Sequence, residues 1–338
     1  MRIKLSTNLQ RFRSRTTYYI WIGVFFLVIG GIVGTVYFAT MQMEYVWRWY
    51  RVPQYFVYQE EQETRAELEG EVAAIVLDGR EATIRIKGAE KTEAYRVSTQ
   101  NIRVKERDLI SAGDVLAIEK KWRPGILAQG MWVTLKVSVY AIFFGIIIGT
   151  LGGISRISAN PALRWGAITY VEFIRGSPLL VQIFIWYFVV GTMVNELLAK
   201  HGLGQISPTG YGVAAMSCFV GAYVTEVVRS GIQSIHRGQI EAARSLGMTY
   251  THAMRYIILP QAMRRILPPL AGEFIAVIKD SSLLGIIAVR ELTKATREAI
   301  TTSLQSFELF FVCAALYLIL TCTLSTFVRY LERRNPLA

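Results

Sequence analysis

Histidine and cysteine are scarce in these 338 residues, with three of each. Cys218, Cys313 and Cys322 all fall in apolar runs. An odd number of thiols in such surroundings argues against a disulfide framework and against a metal site, so they read as small core residues. His201, His236 and His252 are too scattered to ligate one metal ion together. The pattern G-x-x-x-x-G-K-[ST] is missing, which excludes ATP binding and hydrolysis through a P-loop. Carboxylate pairs in a hydrolase-like context are lacking. So are basic patches interleaved with aromatics, which nucleic-acid binding would need. The expectation is a chain with no catalytic residue, no metal and no cofactor of its own.

What is abundant is apolar. Hydrophobic residues make up 52% of the chain, alongside a formal net charge of +12. The polar stretch from Met41 to Leu127 is nearly balanced, so the excess charge sits in short segments flanking apolar runs, as in a membrane protein. About 20 apolar residues cross a hydrocarbon core of roughly 30 Å. Six candidates qualify: Tyr18–Ala39, Met131–Ile154, Pro178–Leu198, Tyr211–Val228, Leu267–Val289 and Phe307–Val328. The first follows Arg2, Lys4, Arg11, Arg13 and Arg15. Its run is too long for a signal-peptide core and no small-x-small site follows it, so it reads as an uncleaved anchor.

Placing the N-terminus in the cytoplasm puts Arg156, Arg164, the set from Arg229 to Arg265, and Arg329, Arg333 and Arg334 inside as well. The outer loop from Ala199 to Gly210 then carries only Lys200. The other outer loop, Arg290–Ser306, mixes Arg290, Lys294 and Arg297 with Glu291 and Glu298. This is the short-loop bias expected of a multi-pass protein with both termini in the cytoplasm. The fold class is therefore an all-α polytopic membrane protein of six transmembrane helices with a small extracytoplasmic β-rich insert. Its parts are an anchor (1–40), the extracytoplasmic segment (41–127) and a five-helix core (128–334).

The segment 41–127 opens on an interfacial aromatic belt, Tyr45 to Tyr50. Glu60–Glu71 is acidic and helix-permissive. Beyond it, Val72–Leu77, Ala82–Ile86, Tyr95–Val97 and Val115–Ile118 are short strand-like runs, with a hairpin signal at Asp78-Gly79 and further turns at Gly88 and Ala112-Gly113-Asp114. A spacer or docking module fits this composition.

The cytoplasmic loop 231–265 carries the most information. Gly238–Leu246 suits a short helix whose small Ala242 and Ala243 admit a close partner, with Gly247 as its left-handed C-cap. A second helix is expected from Thr249, ending by Pro260. A polar helix-turn-helix between two spans needs a cytoplasmic partner. Glu172/Arg175 and Glu226/Arg229 are spaced i, i+3 and read as structural or gating ion pairs. Ser177 is a candidate N-cap and Pro178 a first helical residue for the third span. Lys279 and Asp280 lie about 12 residues past Pro268, close to mid-membrane, where charges must pair or line a wet cavity. A helix break at Ser281-Ser282 would expose backbone groups there. Both alternatives, a structural pair and a lining of the transport pathway, remain open from the residues alone.

Several of these stretches resemble a known family. Glu241-Ala242-Ala243, three residues, Gly247, nine residues, then Ile257-x-Leu259-Pro260 is similar to the EAA signature of importer-type ATP-binding-cassette permeases. Phe173–Gln182 (F-I-R-G-S-P-L-L-V-Q), Lys279–Leu283 (K-D-S-S-L), Glu291-Leu292 and Leu331–Arg334 resemble blocks of the polar amino acid branch. The resemblance spans about Gly125 to Arg334. Departures are His236, where proline is common, and Ala271-Gly272-Glu273, where an asparagine is usual. The resemblance implies a permease subunit of an amino acid importer in the bacterial inner membrane. Its partners would be a dimer of ATPase subunits holding ATP and Mg, an extracytoplasmic solute-binding protein, a second permease chain and membrane lipid. It also implies an ATPase-coupling role for Gly238, Glu241, Ala242, Ala243, Gly247, Leu259 and Pro260. A related zwitterionic solute (an opine, an ectoine-like compound or cystine) is the alternative substrate. A channel or sensor would leave the EAA loop unexplained, and a membrane-embedded enzyme would have only Lys279 and Asp280 to work with.

Overall fold

The computed structural model describes residues 15–334 apart from 80 and 90. Arg2, Lys4, Arg11 and Arg13 thus lie outside the described residues. The chain divides into two units between Trp49 and Tyr50. The first is one apolar helix, α1 (Arg15–Gln42), exposed along almost its whole length. An unbroken apolar surface on a lone helix is stable only against lipid or protein.

A 3-10 segment (Trp49–Tyr55) precedes six strands of the second unit among the described residues: β1 (Val57–Arg65), β2 (Gly70–Asp78), β3 (Glu81–Lys87), β4 (Thr92–Ser98), β5 (Leu109–Ile110) and β6 (Val115–Pro124). β1 and β6 form an antiparallel ribbon, and the other four make a sheet in the order β4-β3-β2-β5. Strict alternation in β3 turns Ala82, Ile84 and Ile86 inward, where they meet Val72, Val97 and Leu116. Each isoleucine buried in this way stabilises by about 1.5–3 kcal/mol. The expected hairpin forms at Asp78-Gly79.

The helix-permissive reading of Glu60–Glu71 is corrected: its first half is strand β1. Two of its acids are matched by bases of the facing strand, Glu61 by Lys120 directly opposite and Glu60 by Arg123 on the diagonal. Arg123 Nε reaches Glu60 at 2.9 Å and Lys120 Nζ reaches Glu61 at 3.3 Å. Each exposed pair contributes little alone, but a helix would leave this row of carboxylates unmatched.

The helical part contains α2 (Ile126–Arg156), α3 (Pro161–Arg175), α4 (Leu179–Phe184), α5 (Thr192–Lys200), α6 (Pro208–Gln233), α7 (Arg237–Ser245), α8 (Tyr250–Ala253), α9 (Leu259–Asp280), α10 (Leu292–Ser303) and α11 (Ser306–Arg334). A π-helical turn, Ile185–Gly191, joins α4 to α5 into one rod, and another, Met254–Ile258, joins α8 to α9. Among the described residues, five helical stretches are long and apolar enough to cross a membrane: Thr17–Gln42, Ile126–Arg156, Leu179–Lys200, Pro208–Gln233 and Ser306–Tyr330. The remaining expected span, Leu267–Val289, is not one helix. The α-helix begins earlier, at Leu259, and stops at Asp280, and a 3-10 turn covers Ser281–Ile287. The expected outer loop Arg290–Ser306 is largely helix α10. Of the three cysteines only Cys313 is buried. Cys322 is exposed on α11, which corrects its reading as a core residue.

The core centres on α2 against α6, where Gly145, Gly149, Gly152 and Gly153 let Val220, Val224, Thr225 and Val228 approach the α2 backbone. A Cβ at Gly149 would lie 2.3 Å from Val224 Cβ and 2.8 Å from the Gly221 carbonyl oxygen. Gly149→Leu should therefore separate the two helices and lower the melting temperature of the purified permease, at a cost of about 1–3 kcal/mol or more. Gly166→Leu, at a position with open space around it, should leave that temperature unchanged. Equal melting of the two variants would contradict this packing.

Candidate functional site

The cytoplasmic hairpin is built from local signals. The His236 ring accepts a hydrogen bond from the Gly238 N–H at 3.1 Å and so caps α7. This accounts for a histidine where the resembled family commonly has proline. At the other end Gly247 adopts φ +73°. Its N–H donates to the Arg244 carbonyl at 2.9 Å, and the Met248 N–H donates to the Ala243 carbonyl at 3.1 Å. This is the paired closure of a Schellman cap. Ala243 is buried within the hairpin, while Glu241, Ala242 and Leu246 are exposed. Leu246, 80% exposed, is an apolar contact that sequence reasoning did not single out.

The second helix does not end by Pro260. Thr249 caps it, and it runs through α8 and the π turn into α9, with Pro260 in the first turn of α9. Proline is tolerated there because it has no N–H to satisfy, and the wider π turn just before it relieves the ring's clash with the preceding carbonyl. Leu259 and Pro260 are exposed. The hairpin is thus continuous with a helix that reaches Asp280.

The block from Phe173 to Gln182 is a stapled turn. Gln182 is buried, and its Nε2 donates to the carbonyls of Ile174 (2.7 Å) and Ser177 (3.2 Å) and to Ser177 Oγ (2.9 Å). Ser177 Oγ in turn donates to the Phe173 carbonyl at 3.0 Å. The hydroxyl is therefore engaged across the turn. Ser177 does not cap the following helix; Pro178 occupies the cap position.

The ion pairs divide differently from the i, i+3 expectation. Glu226 Oε2 meets Arg229 Nε at 2.5 Å, and its Oε1 accepts from Arg156 of α2 at 3.0 Å. Glu172 and Arg175 do not pair. The Arg175 guanidinium lies 5.1 Å from the centroid of the Tyr223 ring, and its charge is felt by Glu226 and Glu273. The negative face of the ring attracts it. Arg156, Tyr223 and Glu273 escaped sequence reasoning because their partners lie on other helices. Glu273 belongs to the stretch Ala271-Gly272-Glu273, where the resembled family usually has an asparagine.

Lys279 and Asp280 end α9, and Ser281 begins the 3-10 turn. No ion pair joins Lys279 to Asp280 or to any other described residue. Adjacent residues on a helix point about 100° apart and do not face each other. Asp280 is half-buried and lies within electrostatic reach of Glu273, one element face away from the lysine. Lys279 and Ser282 line an open cavity of about 350 Å³ with Thr293, Phe310, Cys313 and Tyr317. Ser281 is buried, donating to the Ile278 carbonyl at 2.8 Å. The turn closes on Ala288 in the left-handed region, at φ +63°.

Glu291 follows, fully buried. It accepts from the N–H groups of Thr293 and Lys294, both at 2.7 Å, and from Tyr317 Oη at 2.9 Å. Burial pushes its carboxyl above the usual carboxylate range, against the pull of those donors. The Leu292 N–H donates to Thr134 Oγ1 of α2 at 3.0 Å. The Glu291-Leu292 pair therefore caps α10 and ties it to α2 beside the cavity.

A helical hairpin stands on an apolar helical core, and the helix that leaves it ends in a polar break at Lys279–Ser282. The family model described as "Binding-protein-dependent transport system inner membrane component" matches residues 141–335, and the chain belongs to that family. Among similar proteins, the probable glutamine ABC transporter permease protein GlnM of Bacillus subtilis is 38% identical over 206 residues, 61% of this chain and 91% of that protein. The glutamine transport system permease protein GlnP of Escherichia coli is 37% identical over 209 residues (62% and 92%). The L-cystine transport system permease protein TcyB of Bacillus subtilis is 35% identical over 210 residues (62% and 86%). Among solved structures, an amino acid ABC transporter crystallised with histidines matches with TM-score 0.55 and 36% identity, over 62% of this chain and 94% of that one. The methionine transporter MetNI, at TM-score 0.52 and 19% identity, shares the fold. The chain is a multi-pass membrane permease subunit.

Proposed function

We propose that this chain forms the translocation pathway of an ATP-driven importer of polar amino acids and couples it to ATPase subunits through the hairpin 231–265. The observation that carries the reading is the continuity of that hairpin, through the π turn, with α9 and its break at Lys279–Ser282. A push on Glu241, Ala242 and Leu246 is delivered as rotation of one rod to the polar end of that rod, and rigid levers of this kind drive alternating access. Gly238, Ala243 and Gly247 shape the hairpin, and Leu259 and Pro260 open the rod. ATP and Mg belong to the ATPase dimer. A solute-binding protein delivers the substrate from outside, and a second permease chain completes the pathway. Both termini are cytoplasmic in this reading, the membrane is the bacterial inner membrane, and the β module faces outward.

The relatives' names favour glutamine or another polar amino acid, and cystine is the alternative. The complex of permease, ATPase and binding protein in proteoliposomes should accumulate labelled glutamine when ATP is supplied on the ATPase side. Accumulation of cystine but not glutamine would replace the substrate, and ATP-independent flux would remove the importer reading.

A further inference from the structure

The base of the β1–β6 ribbon carries a feature that transport does not use. An open cleft of about 790 Å³ is lined by Val52, Pro53, Phe56, Val57, Tyr58 and Trp122, together with two glutamines. Its walls are exposed: Trp122 at 68%, Val57 at 49% and Tyr58 at 40%. Residues 52–58 contain no charge; Arg123, opposite Tyr58, extends to Glu60 further along the ribbon, and the pair Glu61/Lys120 follows. An apolar, aromatic base under a charged shaft has the polarity profile of a membrane interface, where tryptophan and tyrosine concentrate.

Two bonds set its height. The Gly125 N–H donates to the Phe56 carbonyl at 2.7 Å, directly ahead of α2. Tyr55 Oη donates to Gln305 Oε1 at 3.2 Å, directly ahead of α11. The uncharged run of α11 extends from Leu309 to Val328, between Glu308 and Arg329. At 1.5 Å per residue this run spans about 30 Å, the thickness of the hydrocarbon core. Gln305 then stands about 6 Å above that core, inside the headgroup layer. The cleft tied to it is at the same level, and exposed Arg51 just before Val52 offers a cation to a phosphate.

We propose that this cleft holds a phospholipid of the facing leaflet, which seats the β module on the membrane surface. Lipid is favoured over a protein partner because the strand that carries Trp122 runs on into the spanning helix α2, Tyr55 beside the cleft is bonded to the start of α11, and the lining side chains are uncharged.

The test uses the full permease–ATPase complex in phosphatidylethanolamine/phosphatidylglycerol vesicles containing lipid with a nitroxide on the headgroup or deep on the acyl chain. The fluorescence lost in Trp122→Phe reports Trp122. That difference signal should fall about twofold with the headgroup label and stay unchanged with the deep label, as an interfacial indole requires. No quenching by the headgroup label would overturn the proposal, leaving the cleft to water or protein. Should Trp122→Phe fail to assemble, the signal gained in Tyr58→Trp must show the same quenching or the proposal fails. Labelled lipid occupies both leaflets, so an error in the proposed sidedness of the chain leaves this result untouched.

Discussion

Replacing Gly247 by valine should reduce both amino acid uptake and substrate-stimulated ATPase activity of the reconstituted importer by about tenfold or more, while the solute-binding protein keeps its affinity. The reason is local. Gly247 holds φ +73° with open space where a Cβ would stand, so the side chain meets no neighbour. The penalty is entirely in the backbone, about 1–2 kcal/mol for a residue forced left-handed and more for a β-branched one. The valine escapes by leaving that region, and the bonds from Gly247 to Arg244 and from Met248 to Ala243 open. The end of α7 then frays, and Glu241 and Leu246 lose their fixed positions. Asparagine accepts the left-handed region readily, so Gly247→Asn should keep most of both activities. Full stimulated ATPase activity in the Gly247→Val complex would sink the coupling role of this turn.

Lys279→Met should abolish uptake, by about a hundredfold, in a complex that still co-purifies with its ATPase. From the residues alone single changes at Lys279 and Asp280 are less informative than a double one, since breaking a buried pair leaves an uncompensated charge. The structure removes that obstacle. Lys279 has no ion-pair partner among the described residues and opens on the cavity bounded by Ser282, Thr293 and Tyr317. Methionine keeps the apolar stem and removes only the ammonium. If the lysine serves packing alone, the change is nearly neutral. If it receives the substrate's carboxylate or gates its passage, transport fails while assembly persists. Near-normal uptake by Lys279→Met would end the pathway assignment. Asp280→Asn, about 100° around the helix from Lys279, is the comparison that separates the two residues.

The two outcomes are also distinguishable in ATPase activity. Gly247→Val, in the proposed lever, should lower stimulated hydrolysis. Lys279→Met acts at the far end of α9, so basal hydrolysis should persist even where uptake is lost.

Several features were legible in the sequence because they are matters of length and period. Apolar runs of spanning length announce a membrane protein, and alternation in Ala82–Ile86 announces a strand. The spacing of Glu241, Gly247 and Pro260 announces the family, and a glycine after a short helix announces its left-handed cap. Each is decided within a few residues of backbone, and the strand at Ala82–Ile86 and the left-handed cap at Gly247 appear in the structure as read. What only the tertiary structure decided is which polar groups meet. Glu60, in a strand, meets Arg123, 63 residues away, on the diagonal of the ribbon. Glu226 is shared with Arg156 across 70 residues, and Arg175 turns from Glu172 to Tyr223 of another helix. The Glu291-Leu292 pair is anchored by Thr134 across 158 residues. Pro260 continues a helix because a π turn precedes it. The direction of a side chain depends on the rotation of its helix and on what packs opposite, and neither is set by local sequence.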